Sequence, residues 1–123
     1  MMPIKFTLDD DKIGVFTTIG NVEYEDGMKV LHLGLDTINK ECKNHLILFD
    51  IRQSEENRSG KEIKDMAETI KQQLGSAKMA IVVDNDFYHG VSRMFIANSE
   101  LLDMDSNVFR NPADAVSWLK NRD

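Results

Sequence analysis

Residues 45–63, HLILFDIRQSEENRSGKEI, decide the fold, because they carry the chain from an apolar strand through a polar loop into a marked helix start. Leu46, Ile47, Leu48 and Phe49 form an unbroken apolar run, the pattern of a central parallel strand covered on both faces. Asp50 is expected to end that strand. Ser59 stands three residues before Glu62, the spacing of a capping box, in which the serine oxygen accepts from an early helix N–H and the glutamate reaches back. A helix is therefore predicted from Gly60. In open α/β sheets, ligands and partners bind in the crevice beyond the carboxyl ends of the strands. The loop carrying Asp50, Arg52, Ser54, Arg58, Ser59 and Gly60 is thus the candidate partner-binding element.

On its carboxyl side, the helix over residues 60–74 places Ile63, Met66, Ala67, Ile70 and Leu74 on one face before Gly75, a helix stop. Lys61, Lys64 and Lys71 form its solvated face. A second apolar run, MAIVV at 79–83, predicts another central strand beside the first, ending at Asp84. Asp50 and Asp84 are then expected to match at the tips of adjacent strands. Two such carboxylates either cap loops, the commoner role, or act as an acid–base pair or a magnesium cradle. A third helix over 87–98 turns Phe87, Val91, Met94 and Phe95 inward, with Asn85 or Asp86 as its N-cap and His89 and Arg93 four apart on one face. A short strand over 106–110 follows. Asn111 then caps a last helix, with Pro112 at its first position, Asp114 in its first turn and Trp118 packed rather than binding ligand.

On the amino side, Ile4, Phe6 and Leu8 alternate with Lys5 and Thr7, and after Asp9, Asp10 and Asp11 the β-branched run 13–18 resumes, which predicts a hairpin. A calcium loop spreads its ligands at alternate positions around a glycine; three consecutive aspartates do not, so no metal is expected there. Gly20 and Asn21 break the second strand. Tyr24, Met28, Leu31, Leu35, Ile38 and Cys42 then recur at spacings of four and three, one helical stripe on which Cys42 is a small buried hydrophobe. Val30 and Leu33 lie off it and either widen the core face or leave a patch on which a weak homodimer would form.

The order ββαβαβαβα predicts an α/β fold, a mixed, mostly parallel five-stranded sheet with about four helices, in one domain over residues 1–123. Hydrophobic content of 41% and charged content of 29% are those of a globular chain. A net charge of −6 argues against the basic face that nucleic acid requires. With Cys42 alone there is no internal disulfide and no cysteine-based metal cluster, which fits a reducing cytoplasm. No segment approaches the roughly 20 apolar residues of a membrane span, and no signal peptide is recognisable. The first βα turn lacks the glycine pattern of nucleotide-binding folds, so no cofactor is expected. His32, His45 and His89 are scattered, with no nucleophile–base pair, and the chain is expected not to be an enzyme.

Five segments taken in order, GNVEYED at 20–26, LILFD at 46–50, MAIVV at 79–83, Gly90 with Arg93, and VFRNPADAVSWL at 108–119, resemble the SpoIIAA-like group of STAS domains. Their wider relatives include bacterial anti-sigma-factor antagonists and STAS/SEC14-like proteins. The resemblance implies a regulatory module with a protein partner. In the antagonists a serine just before a glycine, in an Asp-Ser-Ser-Gly segment, is phosphorylated. Ser59 and Gly60 match its last two positions, making Ser59 the phosphorylation candidate, whereas Asn57 and Arg58 replace the preceding Asp-Ser. The lipid-binding relatives imply the alternative, a carrier or sensor of a small apolar or lipid-like ligand, with Asp84, Phe87, Tyr88, Met94 and Phe95 as the candidate pocket.

Overall fold

The expected hairpin forms: β1 (Ile4–Leu8) turns back antiparallel into β2 (Gly14–Gly20), with Phe6 opposite Phe16. The first aspartate of the acidic run makes this turn, its Oδ1 accepting from the N–H groups of Asp11 and Ile13, each at 2.9 Å. The computed structural model describes residues 3–55, 58–84 and 86–121, with residues 86–91 described in backbone only. Beyond the hairpin run α1 (Tyr24–Glu41), β3 (Leu46–Ser54), α2 (Gly60–Leu74), β4 (Lys78–Val82), α3 (Asp86–Leu101), β5 (Asp105–Phe109) and α4 (Pro112–Lys120). The strands lie in sequence order across one five-stranded sheet, parallel from β2 onward.

The two apolar runs pair as neighbours, Ile47 with Met79 and Leu48 with Ala80, and all four side chains are buried. Successive side chains of a strand point to opposite faces, so each run feeds two cores. Ile47 and Met79 join Phe16, Leu35, Ile38 and Ile70 under α1, α2 and α3. Leu48, Ala80 and Val82 pack with Ala115 and Leu119 of α4 on the other face. Crossovers that step the same way across the sheet carry three helices to one side, and α4 returns alone to cover the second.

The helix ends follow local chemistry. Ser59 and Glu62 form the complete capping box of α2, and Gly75, at φ 76°, closes it. Asn111 caps α4 through its Oδ1, which accepts from Ala113 N–H at 2.8 Å. Trp118 packs on Phe109, and Lys78 places its ammonium 4.5 Å from the indole centre while donating to the Trp118 and Asn121 carbonyls that end the helix. Cys42 is buried and its Sγ contacts the Lys12 carbonyl at 3.6 Å; burial pushes the thiol up, away from the reactive thiolate.

Three expectations need correction. Asp50 does not end β3, which continues to Ser54 because β2 is long enough to pair Gly20 with it, past a register shift between Thr17 and Ile19. Nor do Asp50 and Asp84 match: Asp50 sits opposite Val82, and Asp84 lies beyond the end of β4. The inner face of α3 is phased on Ser92, Phe95 and Ser99, while Met94 is 43% exposed. Ser99 tolerates its buried position by donating to the Phe95 carbonyl at 2.9 Å, so two core positions of this helix carry polar residues. The N-cap expected of Asn85 or Asp86, and the side chains of Phe87, Tyr88, His89 and Val91, lie outside the described residues. In α1, Val30 packs against the core and Leu33 stays 71% exposed.

Candidate functional site

At the carboxyl edge of the sheet the β3–α2 junction is held by short-range chemistry. Arg52 clasps Asp50 two residues earlier on the same strand face, Nε to Oδ1 at 2.9 Å and Nη2 to Oδ2 at 2.8 Å, which lets both charges sit within a strand. Glu55 N–H donates to Gly20 O at 2.8 Å, fastening the strand exit to the end of β2. Glu56 and Asn57 lie outside the described residues. Arg58 then reaches across to the start of α1: its Nη2 donates to Val22 O at 2.7 Å, and its guanidinium carbon stands 5.4 Å from the centre of the Tyr24 ring. Ser59, exposed, accepts from Glu62 N–H at 3.1 Å, and its own N–H donates to Glu62 Oε1 at 2.9 Å. Lys61 is paired with Asp65 at 2.9 Å. Burial raises the Tyr24 phenol above its ordinary value, and the nearby Asp65 and Glu62 carboxylates push the same way.

Beneath Arg58 lies an apolar cavity of about 110 Å³ between the sheet and the three helices on its face. Phe16 and Thr18 of β2 and Phe49 and Ile51 of β3 form its floor. Met28 and Leu31 of α1 and Ile63 and Met66 of α2 form its walls, with Ser92 and Phe95 of α3 closing the far side. Ile4, Ile81, Val22, Tyr24 and Arg58 complete the lining. Phe16, Phe49 and Phe95 pack ring to ring, with centroids 5.4 and 5.8 Å apart, so the floor is rigid.

In structure the chain is similar to an uncharacterized protein of the DUF3478 family from Shewanella loihica, which has a SpoIIAA-like fold. The TM-score is 0.64 at 18% identity, with 94% of this chain and 91% of that chain covered. The chain has the SpoIIAA-like fold. No family model matches it, and no curated protein matches it. At this identity the likeness carries the architecture and says nothing of activity.

Within this SpoIIAA-like frame the candidate partner-binding residues are divided by the sheet. Asp50 and Arg52 share the face of Leu48, toward α4, and Ser54 is buried at the end of the same strand. Arg58 and Ser59 lie on the exit to α2, which Gly60 opens, and Arg58 turns toward α1. The candidate pocket residues are also dispersed. Phe95 lines the cavity, Asp84 and Met94 do not, and the Phe87 and Tyr88 side chains lie outside the described residues. Thr18, Val22 and Tyr24 were not singled out by sequence as cavity residues. Thr18 does leave a trace: it follows Phe16 at the inward parity of β2, a polar residue where the period calls for an apolar one. Among the described residues no group of three His, Cys, Asp or Glu converges as metal ligands, and no helix is long and apolar enough to cross a membrane.

The Asp50–Arg52 clasp sets a pH dependence. Arg52's side-chain hydrogen bonds hold the Asp50 carboxyl below its usual range; partial burial opposes this, and the Arg52 N–H and charge reinforce it. A carboxylate with a depressed folded-state value contributes stability above its unfolded value, and that contribution is lost as pH falls through the folded value. Below about pH 4, the ordinary aspartate range, wild-type stability is therefore expected to fall more steeply than that of Asp50→Asn. Because Arg52 is 40% exposed, solvent screening limits the effect to about 1 kcal/mol or less. Urea midpoints across the acid range measure it, and parallel curves for the two proteins would show that the clasp contributes nothing.

Proposed function

We propose that this chain is a non-enzymatic regulatory module that engages a protein partner at the β3–α2 junction, with Ser59 as the position where charge changes the outcome. The observation that carries this is the exposed Ser59 in a closed capping box at the carboxyl edge of the sheet, next to an arginine that ties the start of α2 to the start of α1. A phosphate on Ser59 would bring about two negative charges to a helix N-terminus, favourable by about 0.3–1 kcal/mol. It would also face the Glu62 carboxylate that the box holds 2.9 Å from Ser59 N. Closing the box and carrying the phosphate are thus opposed, and the junction presents a different surface in each state. Removing the cap with Ser59→Ala is expected to cost about 0.5–2 kcal/mol, while Ser59→Asp, which keeps a capping oxygen, is nearly neutral. Partner capture with wild type, Ser59→Ala and Ser59→Asp, all below their unfolding transitions, should return a partner set that changes with Ser59→Asp. Identical sets from all three would leave Ser59 a cap and nothing more.

A second reading, a carrier or sensor of a small apolar or lipid-like ligand, is favoured by the cavity beneath Arg58. Native mass spectrometry of protein purified from its own cells should then show a bound small molecule. A bare polypeptide mass in every preparation would count against it.

A further inference from the structure

β1 is an outer strand of the sheet, and only alternate residues of it bond to β2. Ile19 N–H donates to Pro3 O at 2.7 Å and Asp9 N–H to Ile13 O at 3.1 Å, so in this antiparallel register Pro3, Lys5, Thr7 and Asp9 face inward. The N–H and C=O groups of Ile4, Phe6 and Leu8 therefore point outward, and no side chain among the described residues takes them. The opposite edge is built differently. In β5 the Phe109 carbonyl accepts from Val83 N–H at 2.9 Å, which turns Val108 N–H outward, and there the Asn107 Oδ1 caps it at 2.9 Å. A side chain thus blunts the β5 edge against a further strand, whereas on β1 only Lys5 carries a charge.

We infer that β1 pairs antiparallel with β1 of a second copy of this chain, about a two-fold axis at Phe6, so that the two sheets become one. Of the registers this edge permits, this one uses all its outward residues: Ile4 meets Leu8 of the second copy and Phe6 meets its own counterpart, each pair exchanging both backbone bonds. It also sets Lys5 opposite Thr7 of the second copy, so no like charges face each other. The helix above the edge fits the same axis. Gly34 of α1 stands over both Phe6 and Phe16, so α1 straddles β1 and β2. With strands about 4.8 Å apart, the two copies of α1 come about 10 Å from each other, the spacing at which helices pack. His32 bonds to Gln73 of α2 at 2.9 Å, which leaves Val30, Leu33 and Thr37, at helical spacing, on the flank turned away from α2 and toward the open edge. Leu33, 71% exposed, then meets its own counterpart. Lys40, which pairs with Asp36 in its own helix at 3.0 Å, comes level with Asp26 of the second copy, opposite in charge.

Sedimentation equilibrium of the full chain from micromolar to near-millimolar concentration tests this, beside Thr7→Lys, Thr7→Glu and Leu33→Asp, all at exposed positions. Wild type is expected to show a monomer–dimer equilibrium. Thr7→Lys sets lysines face to face on both sides of the axis and should raise Kd about fivefold, while Thr7→Glu, which meets Lys5 instead, should lower it by a similar factor. Leu33→Asp should raise Kd about tenfold or more. Hydrogen exchange at the Phe6 and Leu8 amides should slow as concentration rises. A chain that stays monomeric throughout overturns the inference, and so does a dimer whose Kd moves the same way, or not at all, with the two Thr7 variants. A dimer that leaves exchange at Phe6 and Leu8 unchanged forms on another surface and overturns it as well.

Discussion

Leu48→Ala is expected to lower the free energy of unfolding by about 2–5 kcal/mol, a large part of the roughly 5–15 kcal/mol available to a domain. Leu48 is buried on the α4 face of β3 among Ala80, Val82, Ala115 and Leu119. That core is small, and its neighbours include two alanines, which have little side chain to move into the space a leucine leaves. The loss should therefore lie toward the upper end, and α4 should be the element most weakened. Urea denaturation followed by Trp118 fluorescence reads both the midpoint and the environment of α4. A change under about 0.5 kcal/mol would mean that the sheet is open on this face.

Gly34→Ala is expected to destabilise the protein although it improves the helix. Ala in place of Gly favours a helix interior by about 0.5–1 kcal/mol. At this position, however, the added carbon would stand 2.5 Å from Phe16 Cζ and 2.7 Å from Phe6 Cδ1. Phe16 is backed by Phe49, which meets Phe95, so the rings do not yield freely. Overpacking of this kind costs about 1–3 kcal/mol, which leaves a net loss of up to about 2.5 kcal/mol. Phe16 also lines the cavity, so any retreat of its ring narrows the space for a ligand. Thermal unfolding decides the sign, and a raised melting temperature would show that α1 does not press on these rings.

What was legible in the sequence was what local chemistry determines. The runs 46–49 and 79–83 fixed two adjacent strands covered on both faces, and the Ser59–Glu62 and Asn111–Pro112 signals placed two helix starts to the residue. The end of β3 was not legible, because a carboxylate marks a strand end unless a partner on the same face neutralises it, and Arg52 does so for Asp50. The phase of α3 was hidden for a related reason. Ser92 and Ser99 occupy core positions, so the apolar pattern pointed at Met94. The candidate site was the least legible. Its cavity is assembled from four strands and three helices far apart in the chain, and it is lined by an arginine, Arg58, whose partners, Val22 and Tyr24, precede it by more than 30 residues. A single polar residue at an inward strand position, Thr18, was the trace it left.

The proposed module is tested most directly by lysine cross-linking of the protein in its own cells, with the partner-linked peptides mapped by mass spectrometry. Lys61 stands in the first turn of α2 beside Ser59, with its side chain 85% exposed, while Lys43 and Lys120 flank a groove at the opposite end of the strands. Binding at the β3–α2 junction predicts partner cross-links from Lys61 and none from Lys43 or Lys120. Partner cross-links from Lys43 and Lys120 with Lys61 unmodified would place the interface at the other end of the sheet and contradict the assignment.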